Sequence, residues 1–358
     1  MEVCFLASGE TLTRLDANDF EGRTAKDVKR ALEAQVGVTR FRQRLFLDNG
    51  AREVADDETF DAAPVGLQLV VLEFCSPDEE EDKEMMFKAR ENNVLALEQL
   101  LQSPRNPNVE YGNGMTLLHC AAVHGHVEPV RLLLEAGAEK DATTRSGMMP
   151  LHFAAHSNHL DVVRCLIESG AKKDELTRAT GSSPLHVASV EGNLQIVRCL
   201  VEFKAKIDQP TLSDGSTPLC LASDQGHLKI VRFLLRAGAN KDGLRSDGSS
   251  PLHLASEQNH LEVVQCLLRA GANKDQLTTD EGYTALHLAA FRGHIDIVRL
   301  LVESRANCLL TGHDGRTALK VASDRRRRKI VAFLRSVPEF QTTPASRKAR
   351  RVGSKENK

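Results

Sequence analysis

A short phrase returns along this chain about every 33 residues. It reads Met115-Thr116-Leu117-Leu118-His119, then Met149-Pro150-Leu151-His152, Ser183-Pro184-Leu185-His186, Thr217-Pro218-Leu219-Cys220, Ser250-Pro251-Leu252-His253, Thr284-Ala285-Leu286-His287 and Thr317-Ala318-Leu319-Lys320. Counted from His119, the steps are 33, 34, 34, 33, 34 and 33 residues. A fixed period of this length confines the chain to a stack of similar units, because one such unit cannot bury its own apolar face. Stacks of this kind present long surfaces to partners and seldom carry an active site.

The 358 residues allow two or three domains. Trp is absent and aromatics make up 4%, which suits a core of small and aliphatic side chains. A net charge of −2 argues against a generally basic nucleic-acid binder, but the charge is unevenly placed. Segment 78–82 is Asp-Glu-Glu-Glu-Asp, whereas Asp324 to Lys358 carries twelve Lys and Arg against three Asp and Glu. No stretch approaches the roughly 18 apolar residues of a membrane span. The start, Met1-Glu2-Val3-Cys4-Phe5-Leu6, lacks the basic region and long apolar core of a secretory signal. Eight cysteines occur without CxxC pairs. Cys165, Cys199 and Cys266 fall at one point of three repeats, each before a Leu. They read as small buried hydrophobes of a reducing compartment. The expected location is cytoplasmic, with the nucleus as an alternative.

Residues 1–75 stand outside the repeat. Met1, Val3 and Phe5 alternate as one face of a strand does. A helix is expected from about Thr24, an N-cap residue, to Gln35, with Gly37 as its stop. Arg44-Leu45-Phe46-Leu47 and Leu67-Gln68-Leu69-Val70-Val71-Leu72 read as further strands. The order strand, strand, helix, strands, with Val28-Lys29, Gly37-Val38 and Gln43-Arg44-Leu45, resembles ubiquitin and its small α+β β-grasp relatives. Leu12 and Leu15 have opposite parity, which a bulge in the second strand explains. The resemblance implies an apolar, partner-binding patch on the open sheet face. Alternation puts Leu45 and Leu47 inward, so Phe46 faces out beside Val70 and Gln68. The first hairpin, Ala7-Ser8-Gly9, brings no large apolar residue to that patch. The chain also runs on through Phe74-Cys75-Ser76-Pro77 without the Gly-Gly that ubiquitin uses for conjugation. Residues 76–83 read as an acidic, Pro-containing linker, flexible or extended.

Residues 84–336 hold the repeats. Ser183, Thr217 and Ser250 are N-cap residues, and Pro184, Pro218 and Pro251 follow at the first helical position, where a missing N–H costs nothing. Leu151, Ala154 and Ala155 lie on one helical face, and the alanines permit close helix approach. Gly125, Asn158, Gly192, Gly226, Asn259 and Gly293 mark a left-handed turn. A second helix follows, as in Val163, Leu166 and Ile167. Gly137, Gly170, Gly238 and Gly271 end it, and a polar hairpin such as 141–146 leads onward. These phrases resemble the ankyrin repeat over about 250 residues, with some seven units after a degenerate first one, Met85–Leu101. The resemblance implies a helical solenoid that binds a protein on its concave face. Met149 replaces the capping hydroxyl, Cys220 and Lys320 the phrase histidine, and Lys204 and Arg305 the terminal Gly. Arg326 takes the left-handed turn position of the last unit. Residues 337–358 form a basic tail with few apolars, expected to be disordered.

The histidines of the phrase, His119, His152, His186, His253 and His287, recur once per repeat. Packed helices sit roughly 8–10 Å apart, whereas two histidines sharing a zinc each lie about 2 Å from it. The ladder is therefore expected to serve local hydrogen bonds. His156-Ser157-Asn158-His159 has no Cys or carboxylate companion, so no metal is expected there. No GxGxxG, Walker loop, HExxH or GxSxG arrangement occurs. No cofactor and no enzymatic activity are expected.

Recognition then falls to exposed, off-pattern residues of the tips and first helices. These are His124, Arg145, Met148, His156, Tyr283, Phe291 and Arg292, with Phe46 and Val70 on the N-terminal segment. Met, Arg and aromatics are the types enriched at interfaces. Two basic clusters, Arg325-Arg326-Arg327-Arg328-Lys329 and Arg347-Lys348-Ala349-Arg350-Arg351, together resemble a bipartite nuclear import signal. They also suit a polyanion, or a solvated end cap and tail. The leading expectation is a monomeric, non-enzymatic adaptor whose array holds one protein and whose N-terminal segment meets the ubiquitin–proteasome system. An accessory subunit of a ubiquitin ligase or other enzyme complex, and a nuclear or polyanion-binding regulator, are the alternatives.

Overall fold

Local chemistry starts the first helix where the sequence places it. Thr24 donates its hydroxyl and its backbone N–H to Asp27 Oδ2 (2.7 and 3.1 Å), and Asp27 N–H returns to Thr24 Oγ1 at 3.3 Å. This reciprocal cap opens α1, Ala25–Val36. The computed structural model describes residues 2–5, 11–14, 22–36, 38–47, 52–60, 67–71, 79–103 and 105–338. The Ala7–Gly9 hairpin, Gly37, positions 72–78 and the tail residues Arg347, Lys348, Arg350 and Arg351 lie outside them.

Helix α1 covers a sheet of β1 (Glu2–Phe5), β2 (Thr11–Arg14), β3 (Gln43–Leu47), β4 (Arg52–Glu53) and β5 (Gln68–Val71). The strand order is β2-β1-β5-β3-β4. β1 and β5 run parallel; the other pairs are antiparallel. Val3 pairs with Thr13 and Cys4 with Thr11, so Leu12 is the extra residue of a bulge. Ala25, Val28 and Leu32 of α1 bury against Leu45, Val54, Phe60, Leu67 and Leu69. Phe46 pairs with Gln68, and Arg44 with Val70, on the opposite face.

Part of the acidic segment is helical, which corrects the reading of it as a flexible or extended linker. Glu79–Arg90 forms α2, so residues 79–83 are helical. The sequence of the first turn is acidic, which suits the helix dipole. Met85 and Ala89 are buried where α2 packs on its neighbours. Asn93 then caps α3, Val94–Gln102, by accepting Ala96 N–H at 3.1 Å.

Seven helix pairs follow. They are α4 (Leu117–His124) with α5 (Val127–Glu135), α6 (Pro150–His156) with α7 (Leu160–Glu168), α8 (Pro184–Glu191) with α9 (Leu194–Glu202), and α10 (Pro218–Asp224) with α11 (Leu228–Arg236). The last three are α12 (Pro251–Glu257) with α13 (Leu261–Arg269), α14 (Ala285–Arg292) with α15 (Ile295–Glu303), and α16 (Ala318–Asp324) with α17 (Arg328–Ser336). The described chain divides into two units, Met1–Ala171 and Lys172–Lys358. In the first, α2, α4 and α6 form an inner layer and α3, α5 and α7 an outer one. In the second, α8, α10, α12, α14 and α16 are the inner layer and α9, α11, α13, α15 and α17 the outer. Ala154, Ala155, Ala188, Ala222, Ala255, Ala289 and Ala322 are fully buried, which lets the inner helices approach closely. The left-handed positions hold even without glycine: Asn158, Asn259, Arg326, Lys204 and Arg305 take φ values from 56° to 67°.

One buried cation joins the N-terminal sheet segment to the first helix pairs. Arg40 lies in a 3-10 turn, Arg40–Arg42. None of its side chain is exposed. Its Nη1 donates to Asp56 (3.2 Å), its Nη2 to Glu98 of α3 (3.0 Å) and its Nε to Glu135 of α5 (3.1 Å). Lys29 joins Asp56, Lys26 joins Glu98, and Arg30 joins Glu135. Gln102 Nε2 donates to Asp56 at 3.0 Å, and Arg44 donates to the Gln102 carbonyl. Nothing in the sequence singled out Arg40, because its three carboxylates lie far away along the chain.

Candidate protein-binding surface

The phrase histidines are consumed by the fold. In each case a peptide N–H must donate to the ring: Thr116 to His119, Met149 to His152, Ser183 to His186, Ser250 to His253 and Thr284 to His287, at 3.1–3.2 Å to Nδ1. Because Nδ1 accepts, a neutral ring carries its proton on Nε2. For four of them Nε2 then donates to a carbonyl of the following hairpin: Met148 from His119, Ser216 from His186, Tyr283 from His253 and Arg316 from His287. Each ring thus joins a helix start to the next repeat. Ser183 and Ser250 turn their hydroxyls to the ring, 2.8 Å from Nδ1. Where the histidine is replaced, at Cys220 and Lys320, Thr217 and Thr317 accept the helix N–H as ordinary caps.

Burial holds His119, His186, His253 and His287 below the ordinary histidine pKa. The unfolded rings, with pKa near 6.5, therefore take up protons first. Stability is full above that value and falls as pH drops below it. Carboxylates stay mostly ionised down to about pH 5, so loss between pH 6.5 and 5 belongs to the rings. The urea midpoint should be lower at pH 5.5 than at pH 7.5; equal midpoints would contradict this assignment.

A second histidine ladder was not anticipated from the sequence. His126, His159, His227, His260 and His294 stand just before the second helices and bond the carbonyls of Arg90, Val123, Val190, Asp224 and Glu257 in the preceding repeat (2.8–2.9 Å). The signal was a His recurring two or three residues after the phrase helix ends. His159 is thereby a structural residue, while His156 is exposed. A third ladder uses acceptors below the hairpins. Asn108, Asp174, Asp208, Asp242 and Asp275 accept the N–H of Glu139, Lys206, Asn240, Asn273 and Asn307 (2.7–2.9 Å). The tips themselves join by backbone bonds: Arg145 N–H to Asn113 in the first unit, and Ser213 to Thr180, Ser246 to Asp214, Thr279 to Asp247 and His313 to Glu281 in the second.

What the ladders leave over is the surface for partners. In the first unit His124, Arg145 and His156 are exposed and Met148 is half-buried. His124 also bonds the Cys120 carbonyl and stacks on His126. In the second unit Arg292 is exposed and Phe291 half-buried. Tyr283 corrects the expectation of an exposed tip: only 5% of it is accessible. Its ring stacks on His287 at 5.2 Å and its hydroxyl donates to Asp314 at 2.7 Å, because the next hairpin closes over it. Phe46 and Val70 are half-buried. Cys165 and Cys199 are buried as expected, whereas Cys266 is partly exposed.

Among the described residues, no group of three or more His, Cys, Asp or Glu could hold a metal. No helix there is long and apolar enough to cross a membrane. Asp214 shows how charge is absorbed at the tips. Burial opposes ionisation, but bonds from Thr211, Ser216 and the Arg245 guanidinium outweigh it and hold the acid at about 2.

Comparison with known proteins fits this construction. The family model for three copies of the ankyrin repeat matches residues 85–177, 172–243 and 252–342, and a second ankyrin model matches 219–268. The human ASB11 ankyrin repeat domain is similar in structure, at 31% identity and a TM-score of 0.56, over 62% of this chain and 96% of that one. No curated protein matches significantly.

Proposed function

The chain belongs to the ankyrin-repeat family, and on that premise we propose that it is a non-enzymatic adaptor that holds a protein partner on its inner-helix and tip surface. The carrying observation is the division of labour just described. The phrase histidines, alanines and leucines are buried or bonded, whereas His124, Arg145, His156 and Arg292 at the helix ends and tips stay exposed. Recurrent folds host unrelated partners, so the exposed set, not the fold, selects the target.

The N-terminal segment is read as a ubiquitin-like second binding module. Its support is the strand order β2-β1-β5-β3-β4, with parallel β1 and β5 beneath one helix. Its candidate contact residues are Phe46 and Val70 on the face away from α1. Arg44 on that face is already engaged by the end of α3, which narrows the free part of the patch. The Arg40 contacts present this module in a fixed pose beside the first repeats.

Affinity capture from native lysate with the intact chain, a Phe46→Ala variant and a His124→Ala/His156→Ala variant tests both parts. Phe46→Ala should shed ubiquitin-pathway proteins while keeping the others, and the histidine variant should do the reverse. If Phe46→Ala loses nothing, the sheet face is not a binding site. If the histidine variant keeps every partner, the inner surface of the first unit is not one.

A further inference from the structure

The last repeat breaks the pattern at the point where the others are most alike. Before the second helix, earlier repeats of the second unit carry Gly192-Asn193-Leu194, Gly226-His227-Leu228, Asn259-His260-Leu261 and Gly293-His294-Ile295. The last carries Arg326-Arg327-Arg328-Lys329. One of these arginines has a structural task. Arg327 takes the histidine's place, donating Nε to the Phe291 carbonyl at 3.2 Å. Arg326 and Arg328 replace a turn Gly or Asn and an apolar residue; both are exposed, as is Lys329 beside them.

Nearby acids do not neutralise them. Asp324 is occupied by Lys320 (2.9 Å) and Arg316 (3.5 Å), and Glu257 by Arg292. Among the described residues Arg325, Arg326, Arg328 and Lys329 pair with no carboxylate. Arg328 and Lys329 also stand in the first turn of α17, where the helix dipole disfavours cations, and no acid offsets them there. The fold carries this repulsion without using it.

The cluster is also shaped. Arg325 is exposed, with its Cζ over the Phe291 ring, 3.9 Å from its centre. Arg326, Arg327, Arg328 and Lys329 line a cavity of about 260 Å³ with Gly293, Ile295 and Ile330. The cationic lining residues and the α17 N-terminus would together hold a carboxylate or phosphate, beside the apolar Ile295 and Ile330. We propose that this corner of the last repeat is a docking site for a short acidic peptide of a partner protein, with Arg325 and Arg328 as the main contacts. This deepens the adaptor reading and rests on it.

A peptide fits better than a nucleic acid. Asp324 precedes the cluster, Asp296 lies on neighbouring α15 and Glu257 lies beyond Arg292. Among the described residues these acids interrupt the positive charge around the cluster. A nucleic acid needs a longer run of phosphate contacts to bind firmly at physiological salt.

The test is fluorescence anisotropy with the full chain at 0.15 M salt, using a labelled peptide of alternating Glu and Leu, its Lys–Leu counterpart, and a labelled DNA duplex. The Glu peptide should bind and the Lys peptide should not. An Arg325→Ala/Arg328→Glu variant, changed only at exposed side chains, should lose binding by about tenfold or more with an unchanged circular dichroism spectrum. Absent binding, or equal binding by the variant, overturns the proposal. Tighter binding of duplex than peptide overturns the peptide assignment. The His124→Ala/His156→Ala capture reports on the adaptor reading separately, because those residues lie outside this cluster.

Discussion

Replacing Arg40 with methionine should cost the folded chain about 3–5 kcal/mol, the range for removing one partner of a buried ionic cluster. The figure belongs at the lower end, because Asp56, Glu98 and Glu135 keep 18%, 24% and 32% of their side chains exposed, and water can screen what remains. Methionine fills much of the volume but leaves three carboxylates facing one another. Burial pushes the pKa of each carboxyl up, and the cationic partners more than reverse it, leaving all three below the ordinary range. These depressed groups contribute stability above their unfolded pKa and lose it as pH falls through the folded value. The cluster should therefore weaken only in acid, below the histidine window. Because Arg40 touches α3 and α5, hydrogen exchange in residues 94–102 and 127–135 should quicken with that in 25–47. A milder Glu135→Gln change should move the same amides less. A loss under about 1 kcal/mol, or unchanged exchange in α3 and α5, would show that the N-terminal segment is not held by these contacts.

Gly248→Ala should be strongly damaging in the second unit, at about 2–4 kcal/mol from left-handed backbone strain together with overpacking. Its φ is +75°, and an added Cβ would lie 2.5 Å from the backbone nitrogen of Thr279. That nitrogen donates to the Asp247 carbonyl at 2.8 Å, so the clash falls on the bond joining successive tips. Gly315 is the internal control. It has nearly the same φ, +73°, but nothing within 4 Å, so Gly315→Ala should cost only the strain, about 1 kcal/mol. Denaturant titration of both variants separates the terms. Equal losses would mean that tip packing contributes nothing.

Legibility followed distance along the chain. The helices, their caps and the left-handed turns depend on bonds across three to five residues, such as Thr24 with Asp27 or Ser183 with His186. Those relations are visible in a string of letters. The carbonyl that a phrase histidine reaches lies 29 or 30 residues away, so only the local half of its bonding was legible. The second histidine ladder was missed because its partners lie 36 or 37 residues away. The two-residue strand Arg52–Glu53 is wholly polar and exposed, so hydrophobic alternation cannot reveal it. Tyr283 was misjudged because a tip residue is exposed or buried according to what the next hairpin lays over it.

By itself, then, the sequence determined a repeating helical array after a small sheet-and-helix segment, because the period, capping and turn chemistry are local and recur. Only the tertiary structure decided which polar residues remain for a partner. Exposure and pairing are properties of side chains brought together from distant positions: Arg40 meets Glu98 and Glu135 across 58 and 95 residues, and Arg325 meets Phe291 across a repeat. No local pattern encodes those meetings, and they separate a spent charge from a free one.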